Sequence, residues 1–464
     1  MYLGLKEGGI TLSDTARFMN GELLFANGEE KAFGVCTDSR KVEKNDIFFA
    51  LCGEKFDGHV FARSSVESGA VCAVVSKKTD EDFPQILVSD TKKALGDLAA
   101  NYYARFPSLT VGITGSVGKT TTKEFIAAVL SQKYNTAKTA GNFNNEIGLP
   151  LTLLSFAPPQ NALALEMGMS NRGEISRLTH IARPDIGIIT NIGSSHLENL
   201  GTRENIALAK LEITEGMKDG AYLILNGDEP LLKNLKDIKT KNIYASTLDK
   251  NCDIFAYNIR EERESIVFDC TARFKEREMK DIVIPTIGKH NVYNALYAIA
   301  VGLISEMDEE SIRRGLLCFT QCAMRGNITK KNGITIIEDC YNASPESMRA
   351  SIDMLSHVAN GARRIAFLGD MRELGNDSAK MHFSVGEYAA KSGVDMIFTF
   401  GKSALDIAEG AISAGFSHEN IFSIENTDDE ENAAEALKNV LKQGDVVLFK
   451  ASRALKLERI SKKI

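Results

Sequence analysis

Leu109-Thr110-Val111-Gly112-Ile113-Thr114-Gly115-Ser116-Val117-Gly118-Lys119-Thr120 is the stretch that decides the reading of this chain. Its apolar first half, Leu109 to Ile113, reads as a buried strand. Residues Thr121 to Tyr134 follow, with Phe125, Ile126, Val129 and Leu130 at helical spacing. A strand, a glycine turn and a helix start together make a phosphate site. Backbone N–H groups at the helix N-terminus point at the anion, and the glycines allow close backbone approach. Lys119 is placed to bridge terminal phosphates, and the Thr120 hydroxyl to ligate Mg²⁺. The commoner spacing of such loops needs a glycine where Ile113 stands, so Thr114 to Thr120 is a shorter variant, T-G-S-x-G-K-T.

The chain has 464 residues, too many for one ordinary core, and two to three domains are expected. Its 44% hydrophobic and 25% charged residues are those of a globular protein. A net charge of −7, with no basic block, argues against nucleic acid as a partner. The eight cysteines form no C-x-x-C pair and read as small buried thiols, which fits a reducing cytoplasm. Nothing at the N-terminus resembles a secretory signal, and no apolar run approaches the ~20 residues that span a bilayer.

Strands and helices alternate throughout, which predicts α/β architecture in three domains. Residues 1–106 form a small α/β domain, with a helix over Ile10 to Phe18 and strands over Asp46 to Leu51, Ala70 to Ser76 and Gln85 to Ser89. A helix from Leu95 to Phe106 leads out of it. Residues 107–325 form a central domain of the P-loop type with a mostly parallel sheet, its strands including Leu109 to Thr114, Ala162 to Glu166, Ile186 to Asn191 and Ala221 to Asn226. Residues 326–464 form a Rossmann-like doubly wound domain, with strands over Ile334 to Glu338, Arg364 to Leu368, Met396 to Phe400 and Val446 to Phe449. Ligands in such sheets bind beyond the carboxyl ends of the strands.

Several residues at those ends bear chemistry. Glu166 closes an apolar strand; beside a phosphate loop it can hold Mg²⁺, and elsewhere it would be a cap at a strand-to-helix turn. His196, in Asn191-Ile192-Gly193-Ser194-Ser195-His196, could bind a second metal ion, although a loop histidine that hydrogen-bonds backbone is the plainer reading. Lys210 lies in a probable helix, where a lone lysine is ordinarily solvated. Arg325, at a domain junction, could clamp a phosphate or simply be a linker residue. Asn142, Asn144 and Asn145 crowd one short segment and offer hydrogen bonds to a polar substrate, though loops are rich in asparagine.

Taken together these motifs resemble the Mur ligases, the ATP-dependent amino-acid ligases of peptidoglycan synthesis, over nearly the whole chain. Gly141 to Pro150, Tyr341 to Met348 and Gly369 to Gly375 resemble most the members that add D-alanyl-D-alanine to a UDP-N-acetylmuramoyl-tripeptide. The Asp-Asn-Pro-Arg motif of the members that add diaminopimelate is absent. Lys450-Ala451-Ser452-Arg453 departs from the family's Lys-Gly-Ser-Arg, and Asn342-Ala343-Ser344-Pro345 from its Asn-Ala-Asn-Pro.

The resemblance implies a set of roles. Thr114, Gly115, Ser116, Val117, Gly118, Lys119 and Thr120 hold the ATP phosphates. Thr120 and Glu166 bind one Mg²⁺, and His196 binds a second with Lys210 carried as an N-carbamate. Asn291 and Asn294 approach the adenine; Arg325, Asp339 and Asn342 contact the nucleotide from the third domain. Asp38, Ser39, Arg40, Asp57, Gly58 and His59 seat the uridine diphosphate end in the first domain. Asn142, Asn144 and Asn145 touch substrate. Lys119, Glu166, His196 and Lys210 form the catalytic set. It implies a cytoplasmic, monomeric enzyme that forms C–N bonds and partners neither nucleic acid nor membrane. Another Mur-type or folylpolyglutamate-type ligase, or a nucleotide-binding module without activity, are the alternatives.

Overall fold

The computed structural model describes residues 2–5, 8–53, 56–78, 82–233, 235 and 238–464. Three sheets organise them. The central one runs Thr136–Lys138, Ala162–Glu166, Leu109–Thr114, Ile186–Ile189, Tyr222–Asn226, Lys241–Ser246, Ile254–Glu261, Ile266–Ala272, Arg277–Ile284. Its first seven strands pair in parallel and the last two antiparallel. The phosphate-loop strand is interior and buried from Thr110 to Thr114, as apolar strands covered on both faces are. The antiparallel end over 254–284 was not foreseen.

Helix Lys119–Leu130 returns from the loop and packs on helices His290–Ile304 and Glu309–Leu317. The first of these partners is apolar almost all round, and twelve of its residues are buried, so it lies inside the domain rather than over it. Close approach at the second contact depends on Gly315, where a Cβ would stand 2.4 Å from the Val129 Cα.

The N-terminal sheet has the order Tyr2–Gly4, Gly34–Cys36, Asp46–Phe49, Cys72–Val75, Gln85–Leu87, Glu22–Leu24, parallel within and antiparallel at both edges. Two helices differ from expectation. The first begins at Leu12, because Ile10–Thr11 pairs with Lys31–Ala32 and the Thr11 hydroxyl caps Asp14 N–H. The second spans Thr91–Tyr103 rather than 95–106: Asp90 accepts from the N–H groups of Lys92 and Lys93, fixing an earlier start.

The C-terminal sheet runs Asn327–Lys331, Ile334–Glu338, Val446–Lys450, Arg364–Gly369, Met396–Phe400, Ile421–Ile424, with five parallel strands and a hairpin at the first edge. The chain is thus three α/β domains built on mostly parallel sheets. Ala451 stands outside the left-handed backbone region, so the turn after Lys450 needs no glycine there. All eight cysteines are free; Cys36, Cys72, Cys270 and Cys340 are buried, Cys252 and Cys322 are half-buried, and Cys52 and Cys318 are exposed.

Candidate active site

The phosphate loop is held from the neighbouring strand end. Gly115 has φ +145°, and a Cβ there would lie 1.8 Å from Thr190 Oγ1. Gly118, at φ +87°, begins helix Lys119–Leu130. Asn191 accepts from the loop at both ends of its residue: Ser116 N–H reaches its carbonyl and Val117 N–H its side chain at 2.9 Å. Thr190 Oγ1 donates to the Val117 carbonyl at 2.6 Å. The loop is therefore rigid before any anion arrives. Lys119 Nζ lies back on the Gly115 and Ser116 carbonyls at 2.7 and 3.4 Å. Burial pulls its pKa down, opposed by the attraction of Glu166.

Thr120 and Glu166 meet: the hydroxyl donates to Glu166 Oε2 at 2.9 Å. Asn144 Nδ2 donates to Glu166 Oε1 at 2.8 Å, and the Glu166 N–H is fixed on Thr139 Oγ1. Arg325 Nη2 donates to Thr120 Oγ1 at 3.2 Å, while its guanidinium lies over the Tyr341 ring, 4.1 Å from the centroid. A buried carboxylate with a hydroxyl beside it offers oxygen donors suited to a hard divalent cation.

These groups line one cavity of about 650 Å³ between the central and C-terminal sheets, within the range of small-molecule sites. Of the anticipated residues, Ser116 to Thr120, Asn142, Asn144, Asn145, Glu166, His196, Asn291, Asn294, Arg325, Asp339 and Asn342 all face it. Asn291 and Asn294 are buried and already engaged: Thr122 Oγ1 donates to Asn294, whose amide donates to Asn291. Asp339 accepts from Lys450 Nζ at 2.8 Å and from Ser351. Lys450 also donates to the Asn342 carbonyl, and burial lowers its pKa despite Asp339.

His196 sits at φ +67°. Its Nδ1 is 2.5 Å from Glu373 Oε2 but out of line for a hydrogen bond. Lys210 is not in the cavity lining. It is 1% exposed, with no carboxylate in ion-pair reach among the described residues. Burial drives its pKa well down, and the Lys119 charge adds to the effect. A solvated lysine is thereby ruled out.

The six residues expected to seat uridine diphosphate lie elsewhere in the N-terminal domain. Asp38 binds Arg40 through both carboxylate oxygens, which holds the Asp38 carboxyl far below the usual range. Ser39 starts the short helical turn that Asp38 caps. Asp57 caps the turn at Gly58–Phe61, and a Cβ on Gly58 would stand 2.6 Å from the Leu51 carbonyl. The His59 ring joins this turn to the end of the strand Cys72–Val75: Nε2 accepts from Ser76 N–H at 2.8 Å, so the proton is on Nδ1, facing Asp57 Oδ1 at 2.5 Å. Cys52 Sγ adjoins both, and the three could be mistaken for a metal cluster. A ring nitrogen already carrying a proton has no lone pair to give, so the trio is a hydrogen-bonded turn.

Sequence reasoning missed Glu346, Glu373 and Lys450 as cavity residues. Each stands in a motif that was noticed, but only packing of the C-terminal domain against the phosphate loop brings it there. Asn226, at a strand end, was noted and also lines the cavity.

Profiles of known families match in three consecutive pieces: Mur ligase family, catalytic domain, over residues 32–103; Mur ligase middle domain over 113–302; and Mur ligase, glutamate ligase domain, over 324–453. The UDP-N-acetylmuramoyl-tripeptide–D-alanyl-D-alanine ligase of Bacillus subtilis is 40% identical, covering 97% of each chain; that of Escherichia coli is 35% identical over 86% of this chain and 88% of its own. A crystal structure of MurF from Acinetobacter baumannii superposes with a TM-score of 0.87 at 28% identity, over 98% of both chains. MurF of Thermotoga maritima in complex with ADP superposes at 0.81, with 30% identity, over 92% of this chain and 96% of its own. Full-length identity at this level, carried by all three domains at once, means that the chain belongs to the Mur ligase family.

Proposed function

We propose that this chain is the ATP-dependent ligase that joins D-alanyl-D-alanine to the terminal carboxylate of a UDP-N-acetylmuramoyl-tripeptide in peptidoglycan precursor synthesis. The observation that carries this is the 40% identity, end to end, to a relative of that name, together with a phosphate loop, an oxygen-rich cation site and a third-domain arginine around one cavity. Residues 1–106 take the UDP end, 107–325 hold ATP, and 326–464 bring the amine. The enzyme works as a cytoplasmic monomer; no helix among the described residues is long and apolar enough to cross a membrane.

In the chemistry, a tripeptide carboxylate oxygen attacks the γ-phosphorus of ATP. ADP leaves and an acyl phosphate forms. The amine nitrogen then attacks the acyl carbon, inorganic phosphate leaves with the C–O bonding pair, and the nitrogen loses a proton. Lys119 offsets the charge of two anions brought together, and Arg325 adds a second cation from the domain junction. Asn191 and Thr190 fix the shape of the loop, and the N–H groups at the start of helix Lys119–Leu130 face the anion. Thr120 and Glu166 fit one Mg²⁺ and His196 a second, and these ions would supply charge neutralisation on the phosphates. Lys210 fits an N-carbamate: burial that disfavours its ammonium leaves the neutral amine that adds CO₂. Closure of the C-terminal domain over the cavity keeps water from the acyl phosphate.

Mass spectrometry of products from UDP-linked tripeptide, ATP and a panel of amines tests this. The expected product carries both D-alanine residues and forms with one ADP per bond. Product with a single amino acid or a folate acceptor, and none with D-alanyl-D-alanine, would refute it.

A further inference from the structure

One polar contact in the cavity has no part in that scheme. Ser194 follows the strand Ile186–Ile189 and is 6% exposed. Both its donors point at one acceptor: the backbone N–H lies 3.1 Å, and Oγ 2.8 Å, from Glu346 Oε1. Glu346 comes from the C-terminal domain, in the first turn of helix Pro345–Ala359. It lines the cavity, whereas Ser194 beneath it does not. The donor pair also adjoins the phosphate loop, since Gly193 N–H donates to Ser116 Oγ at 2.8 Å. Space is tight: a Cβ on Gly193 would meet Ser116 Cβ at 3.1 Å and the Glu346 carboxyl at 3.2 Å.

A backbone N–H and a hydroxyl converging on one carboxylate oxygen form a receptor for an anionic oxygen. Glu346 occupies donors that an anionic oxygen of a ligand would also use. Two like charges this close repel strongly in a partly desolvated site. An anionic oxygen placed on those donors would have to displace Glu346.

We infer that the Ser194 N–H and hydroxyl bind an anionic oxygen of the reacting groups, either the substrate carboxylate or the γ-phosphoryl group, and that the Glu346 carboxylate competes for those two donors. Glu346 is then an intramolecular competitor that ligand must displace, and its departure loosens one tie between the central and C-terminal domains. Apparent affinity falls by the fraction of time the competitor is seated. The inference rests on the ligase reading proposed above.

Opposite signs distinguish this from a simple clasp. Calorimetric titration of UDP-linked tripeptide and of a non-hydrolysable ATP analogue is done separately on the wild type, Ser194→Ala, Glu346→Gln and the double variant. Melting by circular dichroism confirms that each folds. Ser194→Ala should weaken one of the two ligands about tenfold, the scale of one hydrogen bond to a charged group. Glu346→Gln should tighten that same ligand severalfold, and the double variant should lose the gain. A change confined to the tripeptide nucleotide assigns the carboxylate; a change confined to the ATP analogue assigns the phosphoryl group. If both single variants weaken binding, or neither alters it, the pair is structural and the inference fails. Wild-type turnover with D-alanyl-D-alanine is measured alongside. Its absence overturns the ligase reading and this inference with it, whereas turnover without the split in sign overturns the inference alone.

Discussion

Replacing Lys210 by Met should make the ligand-free chain more stable while it abolishes ligation. The side chain is 1% exposed on helix Arg203–Leu211, and no carboxylate among the described residues pairs with it. Burial, reinforced by the Lys119 charge, holds its pKa well below that of a free lysine. The unfolded chain therefore binds a proton that the folded chain rejects, at every pH between the depressed folded value and about 10.4. Over that interval stability rises with pH, at about 1.4 kcal/mol per unit at 25 °C for one proton. Met fills similar volume, titrates nothing, and removes this slope. The advantage of Lys210→Met over wild type should thus shrink by about 2 kcal/mol across a rise of about 1.5 pH units inside the interval. Urea unfolding in CO₂-free buffers, followed by circular dichroism since the chain has no Trp, measures it. ADP release assayed in parallel should fall to background. A pH-independent difference, or a variant less stable than wild type throughout, would refute the argument that this lysine is held buried and neutral for chemistry.

Other outcomes follow from single contacts. Glu166→Gln keeps an oxygen for Thr120 or Asn144 but removes the charge, so kcat/KM should drop by about 10²–10³-fold, with a raised Mg²⁺ requirement and an unchanged melt. Gly115→Ala places a Cβ 1.8 Å from Thr190 Oγ1 at φ +145°; it should cost about 3 kcal/mol and abolish ATP binding, read by melting and nucleotide titration. Gly315→Ala presses on the Val129 backbone at 2.4 Å and should cost about 1–3 kcal/mol, with KM for ATP unmoved. Arg325→Lys loses the planar stack on Tyr341 and the reach to Thr120, so kcat should fall more than nucleotide affinity.

The phosphate loop and the central parallel strands could be read from sequence because each is a local event. A glycine turn between an apolar strand and a helix start is complete within a dozen or so residues, and Gly118 takes the positive φ that such a turn demands. Helix starts went astray where one side chain sets the boundary: Asp90 caps the helix at Thr91, four residues ahead of the first leucine of the apolar pattern. The antiparallel strands over 254–284 were missed although Ile266–Ala272 is almost wholly buried; Arg277–Ile284 exposes four charged residues and is defined by its pairing partner.

Roles set by long-range packing were the least accessible. Lys210 looks like any surface lysine in its own helix; what distinguishes it is removal from water by elements distant in the chain. Glu346 sits 152 residues from Ser194 and, within its own motif, is only an acidic residue at a favourable helix start. The same helix position that stabilises the negative charge locally aims it at the donors beside the phosphate loop. An anionic ligand need only outweigh two hydrogen bonds, since Glu346 keeps its favourable place at the helix start after it lets go of Ser194. A contact so balanced can keep the Ser194 donors covered between turnovers and uncover them when the substrates arrive.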